Sequence, residues 1–212
     1  MRVVEIFDSI NGEVTGWHQG SLTTFIRLAG CNLRCSYCDA QHAQSEKAGR
    51  EMTVGEVCSF IHSTNVTITG GEPLLQPIGL QRLVYFLIDH GFHITIETNG
   101  TIDPCVIDSW NSSAISWVVD YKPPQGDFYW EEMKQCLVEK DWIKFVITDR
   151  KQYEHARKMV SMIREQNKLV SLAFSPCMPG EVSAKQLMDW MIEDRLWSVL
   201  LNVQLHKIIG VE

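Results

Sequence analysis

Short apolar runs rich in β-branched residues alternate along the chain with segments whose apolar residues recur at helical spacing. The runs are too short for buried helices, and they suit strands that are covered on both faces of a sheet. They predict strands at 3–6, 23–28, 66–69, 93–97, 115–120, 143–147, 170–174 and 199–203.

Helix-forming segments lie between most of these runs. Thr53 followed by Glu56 forms a capping-box pattern that predicts a helix start, with the helix running to about residue 62. The amphipathic segment 80–90 ends at Gly91, which is typical of a helix C-terminus. Helical spacing also predicts helices at 149–166, 183–193, 103–110 and 131–137.

The regular alternation of strand and helix predicts an α/β fold with a mainly parallel sheet. About six repeats are too few to close an eight-stranded barrel, so we expect one domain over residues 1–212, an open, partial TIM-like β/α barrel. Stretches containing glycine or proline follow several strands, at 70–73, 98–101, 120–124 and 175–180. In such barrels the chemistry gathers at this carboxyl edge.

Composition narrows the class of protein. With 212 residues, 45% of them hydrophobic, the chain suits a single core. The net charge of −7 argues against sequence-independent nucleic-acid binding. No apolar run is long enough to cross a bilayer, and the N-terminal residues lack the apolar core of a signal peptide.

The cysteine content indicates a reducing compartment. Seven cysteines are an odd number, and three of them are clustered, so a secreted disulfide framework is not expected and a cytoplasmic location is. We expect Cys58, Cys105 and Cys136 to be small buried hydrophobic residues. Cys177 follows a predicted strand and is expected at the active edge.

Cys31, Cys35 and Cys38 form a C-x3-C-x2-C pattern. Three thiolates can hold three irons of a four-iron cluster and leave the fourth iron open to a substrate. With Tyr37 before its last cysteine, the loop resembles the signature of the radical S-adenosylmethionine (SAM) enzymes. A zinc site completed by a distant histidine, or three free thiols, are the alternatives.

Two further motifs follow predicted strands. The sequence GGEP at 70–73 resembles the radical SAM motif that holds the methionine amino group, and an ordinary turn is the alternative. The sequence ETNGT at 97–101 is expected to line the SAM or substrate pocket, although Asn-Gly alone is turn chemistry and Glu97 could be a structural ion-pair partner.

Together with these motifs, the segments FDSINGE at 7–13, FIRLAG at 25–30 and NVQLHKIIGVE at 202–212 closely resemble the 7-carboxy-7-deazaguanine synthases. The resemblance is dense up to Thr101 and again at the end of the chain. It implies a radical SAM lyase of queuosine and 7-deazapurine biosynthesis, which contracts the ring of 6-carboxy-5,6,7,8-tetrahydropterin and releases ammonia. It also implies a homodimer, Mg2+ and a protein reductant such as flavodoxin.

The resemblance assigns roles to individual residues. The [4Fe-4S] cluster would be held by Cys31, Cys35 and Cys38. SAM would contact Tyr37, Cys38, Asp39, Gly71, Glu72, Asn99, Lys122 and Ser175. The pterin would contact Ile10, Asn11, Gly12, Glu13, Arg27, Thr69, His206 and Glu212.

Arg27 stands inside an otherwise apolar strand, where a buried arginine needs an anionic partner. Its planar fork suits the carboxylate of the substrate, and an internal salt bridge to Glu13 is the alternative.

The sequence departs from the resemblance at the expected magnesium site. Members of the family often carry threonine immediately after the Cys-Asp pair, whereas Ala40 follows Asp39 here. Because an alanine side chain cannot ligate a metal, any Mg2+ near Asp39 and Ala40 would depend on other oxygen ligands.

Two rival classes share part of these features. A radical SAM activase that installs a glycyl radical on a partner protein would share the short chain and the cysteine loop, but it would not need Arg27 or the 206–212 ending. A non-enzymatic iron–sulfur or zinc protein would need only the cysteines.

Overall fold

The computed structural model describes residues 1–108, 110–122, 130–166, 169–178 and 180–211, and within these ranges nine strands form one sheet. The strands are β1 (Arg2–Ile10), β2 (Leu22–Leu28), β3 (Arg50–Glu51), β4 (Asn65–Gly70), β5 (His93–Thr98), β6 (Ile115–Tyr121), β7 (Trp142–Ile147), β8 (Ser171–Pro176) and β9 (Leu200–Leu201). The helices are α1 (Val54–Cys58), α2 (Pro77–Asp89), α3 (Trp130–Met133), α4 (Arg150–Glu165), α5 (Ala184–Glu193) and α6 (Leu205–Ile209). Short 3-10 helices cover Gln41–Ala43, Pro73–Leu75 and Pro104–Val106.

The sheet is open and mostly parallel. Its strand order is β3-β1-β2-β4-β5-β6-β7-β8-β9, so β3 and β9 are its edges. β1 pairs antiparallel with β2 and β3, whereas every later neighbouring pair from β2 to β9 is parallel. The predicted open α/β barrel is confirmed, with six long parallel strands and the short β9.

The apolar runs form the core because both faces of the parallel strands are covered. Ile26, Ile68, Ile96 and Phe145 are fully buried, on β2, β4, β5 and β7 respectively. The longer helices α2, α4 and α5 each contribute an apolar stripe, as with Leu83 of α2, which is also fully buried. This arrangement directs the carboxyl ends of the parallel strands to one edge, where the connecting loops gather.

Local signals locate the helix starts well. Thr53 caps α1 in a complete capping box with Glu56, as predicted. Where helical spacing was not accompanied by such capping signals, the predicted helices were too long. The segment 103–110 forms only the turn Pro104–Val106, because Asp103 caps that turn and Ile107 returns to extended backbone. The segment 131–137 is helical only as Trp130–Met133, and the strand predicted at 199–203 is only Leu200–Leu201.

Cys105 and Cys136 form a disulfide with a Cα–Cα distance of 6.2 Å. It joins the loop after β5 to the segment after α3, so the expectation of separate buried thiols is wrong for this pair. Cys58 is a half-buried free cysteine on α1. None of the described helices is both long and apolar enough to cross a membrane.

Candidate active site

A cavity of about 410 Å3 opens at the carboxyl edge of the sheet. Its described lining comes from β1, from the loops that follow β2, β4, β5, β6 and β8, from β7 and from α6. The lining includes both charged and apolar side chains, which suits a small polar ligand with a flat apolar body.

The loop after β2 brings three free thiols to this cavity. Cys31, Cys35 and Cys38 all line it, and each is half-buried. The loop is folded by a backbone bond from Cys38 N–H to the Cys35 carbonyl (3.2 Å). Burial raises the pKa of the Cys35 thiol, the nearby Lys122 opposes this, and the thiols of Cys38 and Cys31 add to the increase.

The spacing of these sulfurs favours a cluster over a single metal ion. Among the described residues, the group of His, Cys, Asp and Glu side chains that is compact enough for one ion is Asp103, Cys105 and Cys136. That group is closed by the disulfide. The three loop thiols are therefore more widely spread than the tight sulfur set of a mononuclear zinc site, and they fit a larger iron–sulfur cluster.

The glycine turn after β4 packs directly against the cysteine loop. Gly71 donates its N–H to the Leu28 carbonyl (2.9 Å), and Glu72 donates its N–H to the Gly30 carbonyl (2.6 Å). A Cβ at Gly71 would collide with the Gly30 carbonyl. Glycine is therefore required for this close approach, which leaves the Gly71 backbone on the cavity wall.

Glu72 does not reach the cavity. Its side chain is 0% exposed, and it accepts hydrogen bonds from Leu74 N–H (3.0 Å), Thr98 Oγ1 (2.8 Å) and Asn99 N–H (2.7 Å). The carboxylate thus ties the GGEP turn to the ETNGT loop. The expectation of direct contact between the Glu72 carboxylate and SAM is not supported by this position.

Asn99 joins the ETNGT loop to the cysteine loop. Its Nδ2 donates to Asn32 Oδ1 (2.9 Å) and lies 3.8 Å from Cys31 Sγ. Asn99 lines the cavity, and with the exception of Glu72 so do the other residues expected to contact SAM: Tyr37, Cys38, Asp39, Gly71, Lys122 and Ser175. The turns carrying Lys122 and Ser175 thus lie at the same cavity.

Most residues expected to contact the substrate also meet at the cavity. The lining includes Ile10, Gly12, Glu13, Arg27, Thr69 and His206. Asn11 is the exception, since it is 4% exposed and bonds through its side chain to Ser21 and Thr67 below the cavity. Glu212 lies outside the described residues.

His206 packs against Gly12. A Cβ at Gly12 would collide with the imidazole ring, so glycine is required for α6 to approach the loop after β1. Burial, together with the charges of Lys207 and Lys144, lowers the pKa of His206, and Asp39 opposes this. The ring therefore offers a neutral donor and acceptor at the cavity wall near pH 7.

Arg27 is paired with a residue that the sequence pattern did not suggest. Its Nε donates to Glu5 Oε1 (2.5 Å), and Glu5 also contacts His42 (3.1 Å). The guanidinium carbon lies 5.6 Å from the centre of the Phe7 ring. Arg27 thus forms the internal salt bridge of the alternative interpretation, but with Glu5 rather than Glu13, whose partners are Lys144 and Gln204.

The partners of Glu13 come from the second half of the chain. This half also contributes the lysines of the cavity, Lys122, Lys144 and Lys207, which together form a cationic wall. Glu13 accepts hydrogen bonds from Lys144 and Gln204. Lys144 also lies 2.9 Å from Asp120, whose other oxygen is 2.7 Å from Lys122. Burial, with a smaller contribution from Lys207, lowers the pKa of Lys144 to about 7, and the two carboxylates at contact distance oppose that shift.

Sequence reasoning missed Glu5, His42, Lys144, Gln204 and Lys207. Lys144 could have been found, since it stands alone among apolar residues in β7 just as Arg27 does in β2. Glu5 gives the same signal, since it stands between Val4 and Ile6 on β1, whereas His42, Gln204 and Lys207 lie outside the predicted strands.

Glu97 is a further acidic residue of the described cavity lining. Burial and the Asp120 charge raise its pKa to about 7, while a hydrogen bond with Thr69 opposes the increase. It has no lysine or arginine within ion-pair distance among the described residues. A carboxyl group of this kind can change its charge near neutral pH.

An open, largely parallel β/α sheet with a three-cysteine loop after its first parallel strand defines a radical SAM protein. Residues 25–118 match the Radical SAM superfamily. The chain is 37% identical to the 7-carboxy-7-deazaguanine synthase of Clostridium acetobutylicum over 98% of this chain and 95% of that one. It is 34% identical to that of Koribacter versatilis, over 99% and 96% of the two chains. The chain belongs to the 7-carboxy-7-deazaguanine synthase family.

Solved structures show the same fold. QueE from Escherichia coli superimposes with a TM-score of 0.70 at 20% identity, covering 96% of this chain and 93% of that chain. Streptococcus suis SuiB bound to S-adenosylmethionine gives a TM-score of 0.55 at 13% identity, covering 84% of this chain and 48% of that one.

The family implies a [4Fe-4S] cluster and SAM, and the three widely spaced thiols beside the Gly71 turn fit both. The implied Mg2+ fits poorly. Ala40 is 7% exposed and offers no side-chain oxygen, and the Asp39 carboxylate is already paired with Lys207 at 3.3 Å. Mg2+ prefers an octahedral set of oxygen ligands, which these residues do not supply.

Proposed function

We propose that this chain converts 6-carboxy-5,6,7,8-tetrahydropterin to 7-carboxy-7-deazaguanine with release of ammonia, as a radical SAM carbon–nitrogen lyase. Its membership of the synthase family supports the reaction. The observation that carries the proposal is the convergence on one cavity of three thiols, a glycine turn and an arginine on an apolar strand.

The cofactors would be held at the cysteine-loop end of the cavity. Cys31, Cys35 and Cys38 would ligate the cluster, and the Gly71 backbone with Asn99 would border SAM. When bound, the reduced cluster and SAM supply the 5′-deoxyadenosyl radical that abstracts a hydrogen atom from the substrate. The protein contributes placement and shielding of the reactants.

Arg27 is the residue proposed to bind the substrate carboxylate. Its contact with Glu5 uses Nε, so the terminal nitrogens of the guanidinium can still bind a carboxylate. Glu5 fixes the orientation of the guanidinium, and Phe7 supports it from one side. This arrangement would place the carboxylate at the β1–β2 side of the cavity.

The opposite side would hold the nitrogen-rich end of the pterin. Glu13 and His206 lie there, and both can accept hydrogen bonds from ring or amino N–H groups. Lys144 lies within ion-pair distance of Glu13. α6 forms this wall and limits access of water to the ligand.

The test is an anaerobic assay with the reconstituted, chemically reduced protein and the carboxylated pterin. We expect 7-carboxy-7-deazaguanine, with SAM re-formed rather than consumed. If SAM is cleaved but 7-carboxy-7-deazaguanine does not form at any concentration of the pterin, the proposal is contradicted and the glycyl-radical activase is favoured. No SAM cleavage by a fully loaded cluster would contradict both enzyme classes.

A homodimer and a flavodoxin-type reductant are proposed on family membership alone. Sedimentation of the reconstituted protein at micromolar concentration should give twice the mass of the 24.2 kDa chain. Reduced flavodoxin should support turnover in place of a chemical reductant.

A further inference from the structure

The Lys207 ammonium lies on the carboxylate that precedes Ala40. Lys207 Nζ is 3.3 Å from Asp39 Oδ2 and donates to the Met178 carbonyl at 3.1 Å. Lys207 and Asp39 both line the cavity. A charged group therefore occupies the place at which the family resemblance implies a divalent cation.

Two contacts from different loops fix this ammonium. Asp39 belongs to the cysteine loop after β2, and Met178 follows β8. A lysine ammonium has three N–H donors, and these contacts account for two. The third donor can serve an oxygen or nitrogen acceptor of a ligand in the cavity.

The surrounding charges disfavour a metal ion next to it. Lys122 lines the same cavity and pairs with Asp120 at 2.7 Å. A dication bound to Asp39 would be repelled by the Lys207 ammonium, and the repulsion grows as a bound ligand displaces water. Ala40 offers no side-chain oxygen and its carbonyl accepts a hydrogen bond from Ala43 N–H (3.0 Å), so a dication there would depend on water and the ligand for most of its oxygens.

We propose that Lys207 supplies the positive charge that holds the acceptor atoms of the pterin in this chain, and that turnover is independent of divalent cations. The inference rests on the proposed function for the identity of the ligand. It differs from the family resemblance, which implies Mg2+ at this place.

Metal binding tests the inference without turnover. Reconstituted protein with its cluster oxidised is titrated into Mn2+, used as the Mg2+ probe, and free Mn2+ is followed by electron paramagnetic resonance. We expect the wild type to leave the free-ion signal unchanged and the double variant A40T/K207M to take up about one ion per chain. Stoichiometric Mn2+ uptake by the wild type that is lost in D39N would overturn the inference.

Turnover supplies the second readout. With EDTA present, we expect the wild type to form product at its rate in Mg2+, while K207M loses about tenfold or more in kcat/KM for the pterin but still cleaves SAM. K207R should recover most of the loss, since it restores a cation. K185M, at an exposed lysine paired with Asp189 on α5, is the matched control and should match the wild type.

The outcomes separate the two proposals. Loss of wild-type activity in EDTA, or unchanged kcat/KM in K207M, would overturn the role of Lys207 while leaving the lyase reaction intact. Absence of product from the wild type with and without Mg2+ would contradict the lyase reaction, and the Mn2+ titration would still report whether a cation site exists.

Discussion

The two sides of the cavity come from two parts of the chain: the segment up to Thr101 forms one, the segment from Ile102 to Val211 forms the other, and ion pairs join them. The first contributes the three thiols of the cysteine loop, the carboxylates Glu5, Glu13, Asp39 and Glu97, and a single arginine, Arg27. The second contributes Lys122, Lys144, Lys207 and His206, with Asp120 between two of the lysines. The three thiols of the cysteine loop and most of the acidic groups thus come from one half of the chain, and most of the cations come from the other.

The two sides also differ in how the sequence encodes them. The cysteines, the glycines and Asn99 occur in short continuous motifs, because a cluster and a close backbone approach need neighbouring residues. The cations stand singly on β7, on α6 and after β6. What assembles them is a set of ion pairs across the sheet, including Lys144 with Glu13 and Lys207 with Asp39.

Replacing one cysteine of the loop should abolish binding of the iron–sulfur cluster. Replacement of Cys31, Cys35 or Cys38 by Ala leaves two ligands for the cluster, so we expect product formation below about 0.1% of wild type. Iron and sulfide content after anaerobic reconstitution is the direct measurement. Cys58→Ala is the matched control, because Cys58 is a free, half-buried thiol on α1 away from the cavity. Full iron loading of a single loop variant would contradict the assignment.

Removing Lys144 should break the link between the two sides. Lys144→Met leaves Glu13 without its lysine in a buried setting and takes one of two cations from Asp120, so we expect a loss of about 3 kcal/mol in stability. For a chain of this size the loss corresponds to a decrease in Tm of about 8 °C, measured on the reconstituted protein.

The double variant Lys144→Met/Glu13→Gln separates charge from packing. It removes the carboxylate that Lys144 leaves unpaired, and it should recover part of the decrease in Tm. Lys185→Met, at an exposed ion pair, should change Tm by less than about 2 °C. If the double variant is less stable than Lys144→Met, the ion pair is not what stabilises this wall.

Sequence patterns predicted the fold and the motif-bearing side of the site. Apolar runs located eight strands of the sheet, and the C-x3-C-x2-C loop with the glycine turn located the cavity. Pattern could not give side-chain direction within a motif. Glu72 belongs to GGEP, yet its carboxylate is buried under the turn, and Asn11 points below the cavity.

The remaining site residues depended on tertiary contacts. Glu5 stands on a strand that is paired antiparallel with β2, and only the register of that pair brings it opposite Arg27. The role of Lys207 is apparent only from its ion pair with Asp39, which is distant in the sequence. The Cys105–Cys136 disulfide likewise joins two segments whose proximity the apolar pattern does not reveal.

Arg27 is the arginine that the segment up to Thr101 contributes to the cavity. Its replacement tests whether this segment binds the ligand as well as the cluster. Arg27→Ala removes the proposed partner of the substrate carboxylate, and we expect KM for the pterin to increase about 50-fold. SAM cleavage without product should persist, because the cysteine loop is untouched. Arg2→Ala is a control, since the Arg2 guanidinium bonds to the carbonyls of residues 47–49 and to Glu51, and Arg2 is not part of the described cavity lining. An unchanged KM would mean that a lysine of the opposite wall binds the carboxylate.

Replacement of Glu97 should have the smallest effect of these changes. It reports on the electrostatic interaction between Glu97 and Asp120, which come from the two segments of the chain. Its pKa is raised to about 7 by burial and by Asp120, so its stabilising contribution is present at low pH and is lost as pH increases through about 7. Glu97→Gln cannot ionise. Its stability relative to wild type should therefore increase by about 1 kcal/mol between pH 6 and pH 8.5, measured from the Tm of the reconstituted proteins. Glu193→Gln, at an exposed position on α5, should show no such trend. Asp120→Asn should reduce the trend by removing the neighbouring charge, and an equal trend in that variant would mean that burial alone sets the pKa of Glu97.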